Sequence, residues 1–119
     1  MKQKIFYLLA IVFLYNCTPT DYKITGTLEN KEFEGQTVFI KERINREWFT
    51  IDSIKVQNSS FTFNGTCDSS RIAYIFCELT SGEKVRQAFV LENGDISVSV
   101  DSAGSMTFGG TAQNEKLQK

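Results

Sequence analysis

The chain has 119 residues, with 13 basic and 14 acidic side chains, no histidine, and one tryptophan beside ten phenylalanines. That length suits one modest domain. The charge is mixed and near neutral, which gives nucleic-acid binding no electrostatic support. The missing histidine removes the usual general base and the commonest metal ligand.

Lys2 and Lys4 open the chain, followed by an unbroken apolar run, IFYLLAIVFLY, over residues 5–15. A bilayer core needs roughly 20 residues of helix, so this run matches the h-region of a secretory signal peptide instead. It ends at Leu14-Tyr15-Asn16-Cys17, before Thr18-Pro19-Thr20. A leucine three residues ahead of a cysteine at this place resembles the lipobox of bacterial lipoproteins, although Tyr15 and Asn16 stand where that motif prefers small residues. The resemblance implies a signal-peptide helix over 1–16, cleavage before Cys17, diacylglycerol on its thiol, and a short tether over 17–21. Two alternatives stand beside it: an uncleaved short anchor, or an ordinary signal peptide with a chance cysteine. Loss of the leader leaves 11 basic against 14 acidic side chains, a net charge of −3.

From residue 22 onward, apolar and polar residues alternate with a period of two, β-branched and aromatic residues are enriched, and no helical period is sustained. Strands are expected at 22–29, 36–43, 47–56, 60–65, 71–79, 84–92, 95–101 and 105–110. The turns between them are short. Asn93-Gly94 carries the strongest hairpin signal, since a type I′ turn needs positive φ at both central residues. The fold class is therefore all-β: an antiparallel sandwich or open barrel of about eight strands over 22–110, with a polar tail over 111–119. Tyr22, Ile24, Leu28, Val38, Ile40, Phe61, Phe63, Ile72, Tyr74, Phe76, Phe89, Leu91, Ile96, Val98 and Val100 fall in phase as the core, with Phe49 and Ile51 beside them.

With Cys17 acylated, Cys67 and Cys77 remain. An even pair in an exported protein suggests a disulfide. A hairpin of 61–67 with 71–77, however, would hold the two about six strand residues, or roughly 20 Å, apart. That exceeds the ~7 Å limit for a bridge. Two separate thiols are the expectation, with Cys77 a small core residue.

Taken in order, YKITGTLEN, TVFIKE, IDSIKVQNSSFTFNGT, RIAYIF, FVLENGDISVSVD and FGGTAQNEKL resemble the N-terminal β-domain of unknown function in Bacteroidetes lipoproteins, which usually precedes a thioredoxin-like (thiol-disulfide oxidoreductase) domain. The resemblance spans residues 22–117, with Ser59 where the family often has glycine. It implies an accessory module in the cell envelope, lipid-anchored at the outer membrane on its periplasmic or surface face. The catalytic C-x-x-C of the relatives lies in the domain that follows, so no catalytic residue carries over. The chain reads either as a free-standing accessory domain or as the front end of an oxidoreductase.

No residue pattern here builds a catalytic centre or calls for a cofactor or metal. Asp52, Asp68, Glu78, Glu92, Asp95 and Asp101 scatter over turns and strand ends, where solvated carboxylates are commoner than acid/base pairs. No helix is expected after any glycine, which leaves no phosphate loop. Trp48 is out of phase with Phe49 and Ile51. It is either exposed at a sheet edge beside Arg46 and Glu47, as a glycan- or peptide-contacting patch, or buried at a bulge. An open sheet edge would also let an envelope protein partner pair with it. Asp52-Ser53-Ile54 and Asp101-Ser102-Ala103 match the D-[ST]-small/aliphatic pattern of O-glycosylation in Bacteroidetes envelope proteins, Ser102 being the more accessible.

Overall fold

A computed structural model describes residues 20–117; the expected signal-peptide helix, Cys17 and most of the tether lie outside them. Eight strands follow in order: β1 (Tyr22–Leu28), β2 (Thr37–Ile44), β3 (Glu47–Lys55), β4 (Ser60–Gly65), β5 (Arg71–Glu78), β6 (Lys84–Leu91), β7 (Gly94–Val100) and β8 (Met106–Gly109). A 3₁₀ turn, Lys31–Phe33, joins β1 to β2, and a helix, α1 (Ala112–Leu117), follows β8. Every strand ends within one residue of its expected bounds.

The strands form two four-stranded sheets, β4-β1-β7-β8 and β3-β2-β5-β6, arranged as a β-sandwich. Both present their apolar phase inward. In the first sheet Ile24, Phe63, Ile96, Val98 and Phe108 are buried; in the second, Val38, Ile40, Ala73, Ile75, Phe89 and Leu91. Phe89 and Phe108 stack across the gap, with ring centroids 5.0 Å apart and planes 5° apart. Phe33 from the 3₁₀ turn is buried in the same core.

The strand assignment holds, but the partition into sheets departs from local hairpins. β4 and β5 are not paired: β4 lies against β1 and β5 against β2 and β6, so residues 66–70 pass from one sheet to the other. Asn93-Gly94 makes another such passage rather than a type I′ hairpin. The Asn93 amide takes the place of a strand partner for Cys67: its Nδ2 donates to the Cys67 carbonyl at 3.1 Å, and its Oδ1 accepts from the Cys67 N–H at 3.2 Å. Gly94, at φ +126°, then turns the chain into β7, beside β1. The β1–β7 pair is parallel, the exception to an otherwise antiparallel ladder. The type I′ conformation appears instead at Asn45-Arg46 (φ 52° and 69°), which closes the β2–β3 hairpin.

Two core expectations are corrected. In β5 the inward residues are Ala73, Ile75 and Cys77; Ile72 is 51% exposed, and Tyr74 and Phe76 stand half-buried on the outer face. Residues 72–77 are apolar or aromatic throughout, so alternation cannot say which phase faces the core. In β3, Phe49 and Ile51 are exposed, because β3 is an edge strand with little of the opposite sheet over it. The end of the chain is also more structured than a polar tail. α1 begins two residues after Gly110, against the expectation that no helix follows a glycine.

Candidate functional site: the outer face of the β3-β2-β5-β6 sheet

Residues of one parity along these strands point away from the core, and register brings them together. Phe39 pairs with Phe76, Lys41 with Tyr74, Arg43 with Trp48, and Phe76 with Arg86. The Trp48 ring stands edge-on to Tyr74 (centroids 5.0 Å, planes 87°) and to Phe76 (4.9 Å, 82°). Such pairs add about 0.5–1.5 kcal/mol each beyond area burial. This half-buried position differs from both expectations for Trp48. A bulge does occur in the β2–β3 ladder, between Ile40 and Lys41, but it leaves Trp48 on the outer face rather than in the core. Its cationic neighbours are Arg43 and Arg86, with their guanidinium carbons 5.1 and 5.7 Å from the ring centroid.

Lys41 Nζ lies 5.0 Å from the Phe39 centroid and 4.8 Å from that of Phe76. Three cations are thus held on aromatic rings, an attraction of about 0.5–1 kcal/mol each at exposed sites. By register Lys55 and Lys84 share the face, and Glu78, opposite Lys84, is its acidic residue. The ion pair found among the described residues, Arg71 with Glu42 at 3.1 Å, lies off this face. Beside the cluster is a recess of about 440 Å³, lined by Gln36, Thr37, Phe39, Lys41, Phe76, Cys77, Glu78 and Lys84. Aromatic faces, fixed cations and an open recess equip this surface to hold an anionic, partly apolar ligand.

Cys67 and Cys77 are both free and buried. They stand apart as expected, though for a different reason than a shared hairpin: Cys67 precedes β5 at the inter-sheet passage, whereas Cys77 sits on β5 opposite Val85. The Cys67 thiol points to Asn93 Oδ1 at 3.4 Å. Burial pushes the Cys77 thiol up to about 12, so at neutral pH it is protonated and a poor nucleophile. Burial, and then the negative charge of Asp52, raise the Tyr22 hydroxyl above its ordinary value.

Ser53 is exposed on β3, and Ser102 is exposed in the β7–β8 turn. Asp101 Oδ1 shapes that turn by accepting from the N–H groups of Ala103 and Ser105, at 2.9 Å each. Among the described residues, no three His, Cys, Asp or Glu side chains come together as a metal-binding group. Single-residue reasoning found Trp48 but missed Phe39, Lys41, Arg43 and Arg86. The signal available was the alternation of aromatic and cationic residues in FIKER, with Arg86 in the matching phase of β6, which becomes meaningful only once β2 and β6 are known to flank β5.

Comparison with known families gives one match, to a family described as a domain of unknown function (DUF4369), over residues 22–117. No curated protein matches the sequence.

Proposed function

The chain belongs to this family of domains of unknown function, and we propose that it is a non-catalytic, lipid-anchored cell-envelope module that works by binding. The observation carrying this reading is the outer face of the β3-β2-β5-β6 sheet, where Lys41, Arg43 and Arg86 rest on aromatic rings with Glu78 as the acidic residue among them. A surface kept cationic and aromatic needs a ligand or partner to complete it. Attachment comes from Cys17: the charged start, the eleven-residue apolar run and the cysteine at its end support acylation there. Two or more acyl chains hold a protein stably on a membrane. The resemblance to Bacteroidetes lipoproteins makes the partner a thioredoxin-like thiol-disulfide oxidoreductase, for which this chain is the accessory domain.

Radiolabelled palmitate is expected to enter the wild-type chain and not Cys17→Ser; equal labelling of both contradicts the anchor. Titration with purified thioredoxin-like domains is expected to shift Trp48 emission saturably, and Arg43→Glu/Arg86→Glu is expected to weaken that binding roughly tenfold or more. A flat titration contradicts the partner.

Trp48 favours a second reading, a glycan- or peptide-binding module, in which envelope glycans rather than a thioredoxin-like domain shift the same emission. Under a third, the chain is the front end of an oxidoreductase, and the reading frame beyond Lys119 encodes a C-x-x-C segment.

A further inference from the structure

Among the described residues, four of the five exposed large apolar side chains lie on the β2–β3 hairpin: Ile44 and Phe49 at 46% each, Ile54 at 39% and Ile51 at 36%. The fifth, Ile72 at 51%, is near the start of β5. Ile44 and Phe49 lie at the tip of this hairpin, where β2 parts from β5: β2 pairs with β5 over Phe39–Lys41, and residues 42–44 pair with β3 alone. Ile54, opposite Val38, is farther from the tip. The ribbon is tied to the start of β5 by the ion pair of Arg71 with Glu42.

That end of the sandwich is also where the described chain begins. Tyr22 pairs with Gly65 at the end of β4 and with Gly94 at the start of β7, and the Gly94 N–H donates to the Asp21 carbonyl at 2.8 Å. β4 leads through residues 66–70 to Arg71, so the chain entry, the start of β5 and the hairpin tip share one end. The β7–β8 turn with Ser102 is at the other, since Leu28 pairs with Val100. Cys17 precedes Tyr22 by five residues, and five extended residues reach at most about 18 Å.

We propose that the tip of the β2–β3 hairpin is a bilayer-contacting element, with Ile44 and Phe49 seated at the headgroup–acyl boundary of the membrane that holds Cys17. This rests on the lipid-anchor reading above. The chemistry of the tip fits a shallow seat. Ile44 and Phe49 supply the apolar contact, and Asn45, Arg46 and Glu47 close the turn with groups that stop at the headgroups. Arg43 and Trp48, on the other side of the ribbon, are residue types favoured at that boundary. A short tether makes the contact intramolecular, so a small apolar area suffices.

The test uses the full chain, matured and reconstituted in vesicles of phosphatidylethanolamine and phosphatidylglycerol whose acyl chains carry bromine near the headgroup. Trp48→Phe removes the protein's one tryptophan. In that background Phe49→Trp and, separately, Ile44→Trp place a reporter at the tip, and Ser102→Trp places one at the far end. Brominated lipid is expected to cut emission from either tip reporter roughly twofold and to leave the far-end reporter unchanged. Tip emission that brominated lipid does not quench, in protein that stays on the vesicles, overturns the proposal. It would do so equally if a second copy, a partner protein or an uncleaved leader covers the tip. The mass of the N-terminal peptide separates the two ideas: an unacylated Cys17 removes both, whereas an acylated Cys17 with an unquenched tip removes only this one.

Discussion

The two edges of the β3-β2-β5-β6 sheet are finished in opposite ways. At β6 the edge is closed by a side chain from α1. Asn114, fully buried, accepts the Val90 N–H at 2.9 Å and donates to the Val90 carbonyl at 2.8 Å, as a neighbouring strand would. Thr111 Oγ1 accepts a third bond from its amide, at 2.8 Å. At β3, the longest strand of the sheet, no described strand lies on the outer side, and Phe49, Ile51 and Ile54 are exposed. Open edges invite pairing and aggregation, and natural proteins blunt them with charges and bulges. β3 carries Glu47, Asp52 and Lys55, and a bulge interrupts its ladder with β2. One edge is sealed as part of the core. The other is kept open and only guarded, as a working surface would be.

Breaking the closed edge should have the largest effect. Asn114→Ala strips Val90 of both side-chain partners at a part-buried position, where unsatisfied groups cost about 1–3 kcal/mol. Urea denaturation is expected to show a loss of about 3 kcal/mol, with faster exchange at the Val90 amide. A loss under ~0.5 kcal/mol would mean that α1 is not part of the fold's closure.

The open side should be more forgiving. Trp48→Ala removes two edge-on aromatic contacts and the seats of Arg43 and Arg86. Because Trp48 is only half-buried, the expected cost is about 2 kcal/mol, below that of a buried aromatic truncation. A cost equal to that of Asn114→Ala would erase the contrast between the edges.

At neutral pH the smallest effect concerns the interior between them, and it emerges only at alkaline pH. Folding raises the Cys77 pKa from 9.0 to about 12, so above pH 9 the unfolded chain gives up a proton that the folded chain keeps. That contribution is intact below pH 9 and is lost as pH climbs from about 9 to about 12. Cys77→Ala should flatten that part of the alkaline stability profile. An unchanged profile would place the alkaline loss on other groups.

Much of this contrast could not be read along the chain. Alternation and turn residues locate all eight strands, because strand period and turn chemistry are local properties. Which sheet a strand joins is not local. Asn93-Gly94 is chemically a tight turn, yet it carries the chain across the sandwich because the Asn93 amide finds the Cys67 backbone. The phase of β5 was hidden by six consecutive apolar or aromatic residues, 72–77. Tyr74 and Phe76 therefore passed for core, when they are the floor under Trp48. Asn114 looked like any residue of a polar tail; its role depends on β6 lacking an outer neighbour. The cationic face was equally hidden, since Lys41, Arg43 and Arg86 meet only through the β2-β5-β6 order.

Amide hydrogen exchange of the full chain, in detergent and then on vesicles, reads both edges in one experiment. In detergent, Val90 should exchange slowly and the outward amides of β3 quickly. On vesicles, protection should rise across the hairpin tip, residues 44–49, and stay unchanged at Val90. Equal exchange at Val90 and along β3, or a hairpin that gains no protection on the membrane, would contradict the division into one sealed edge and one working edge.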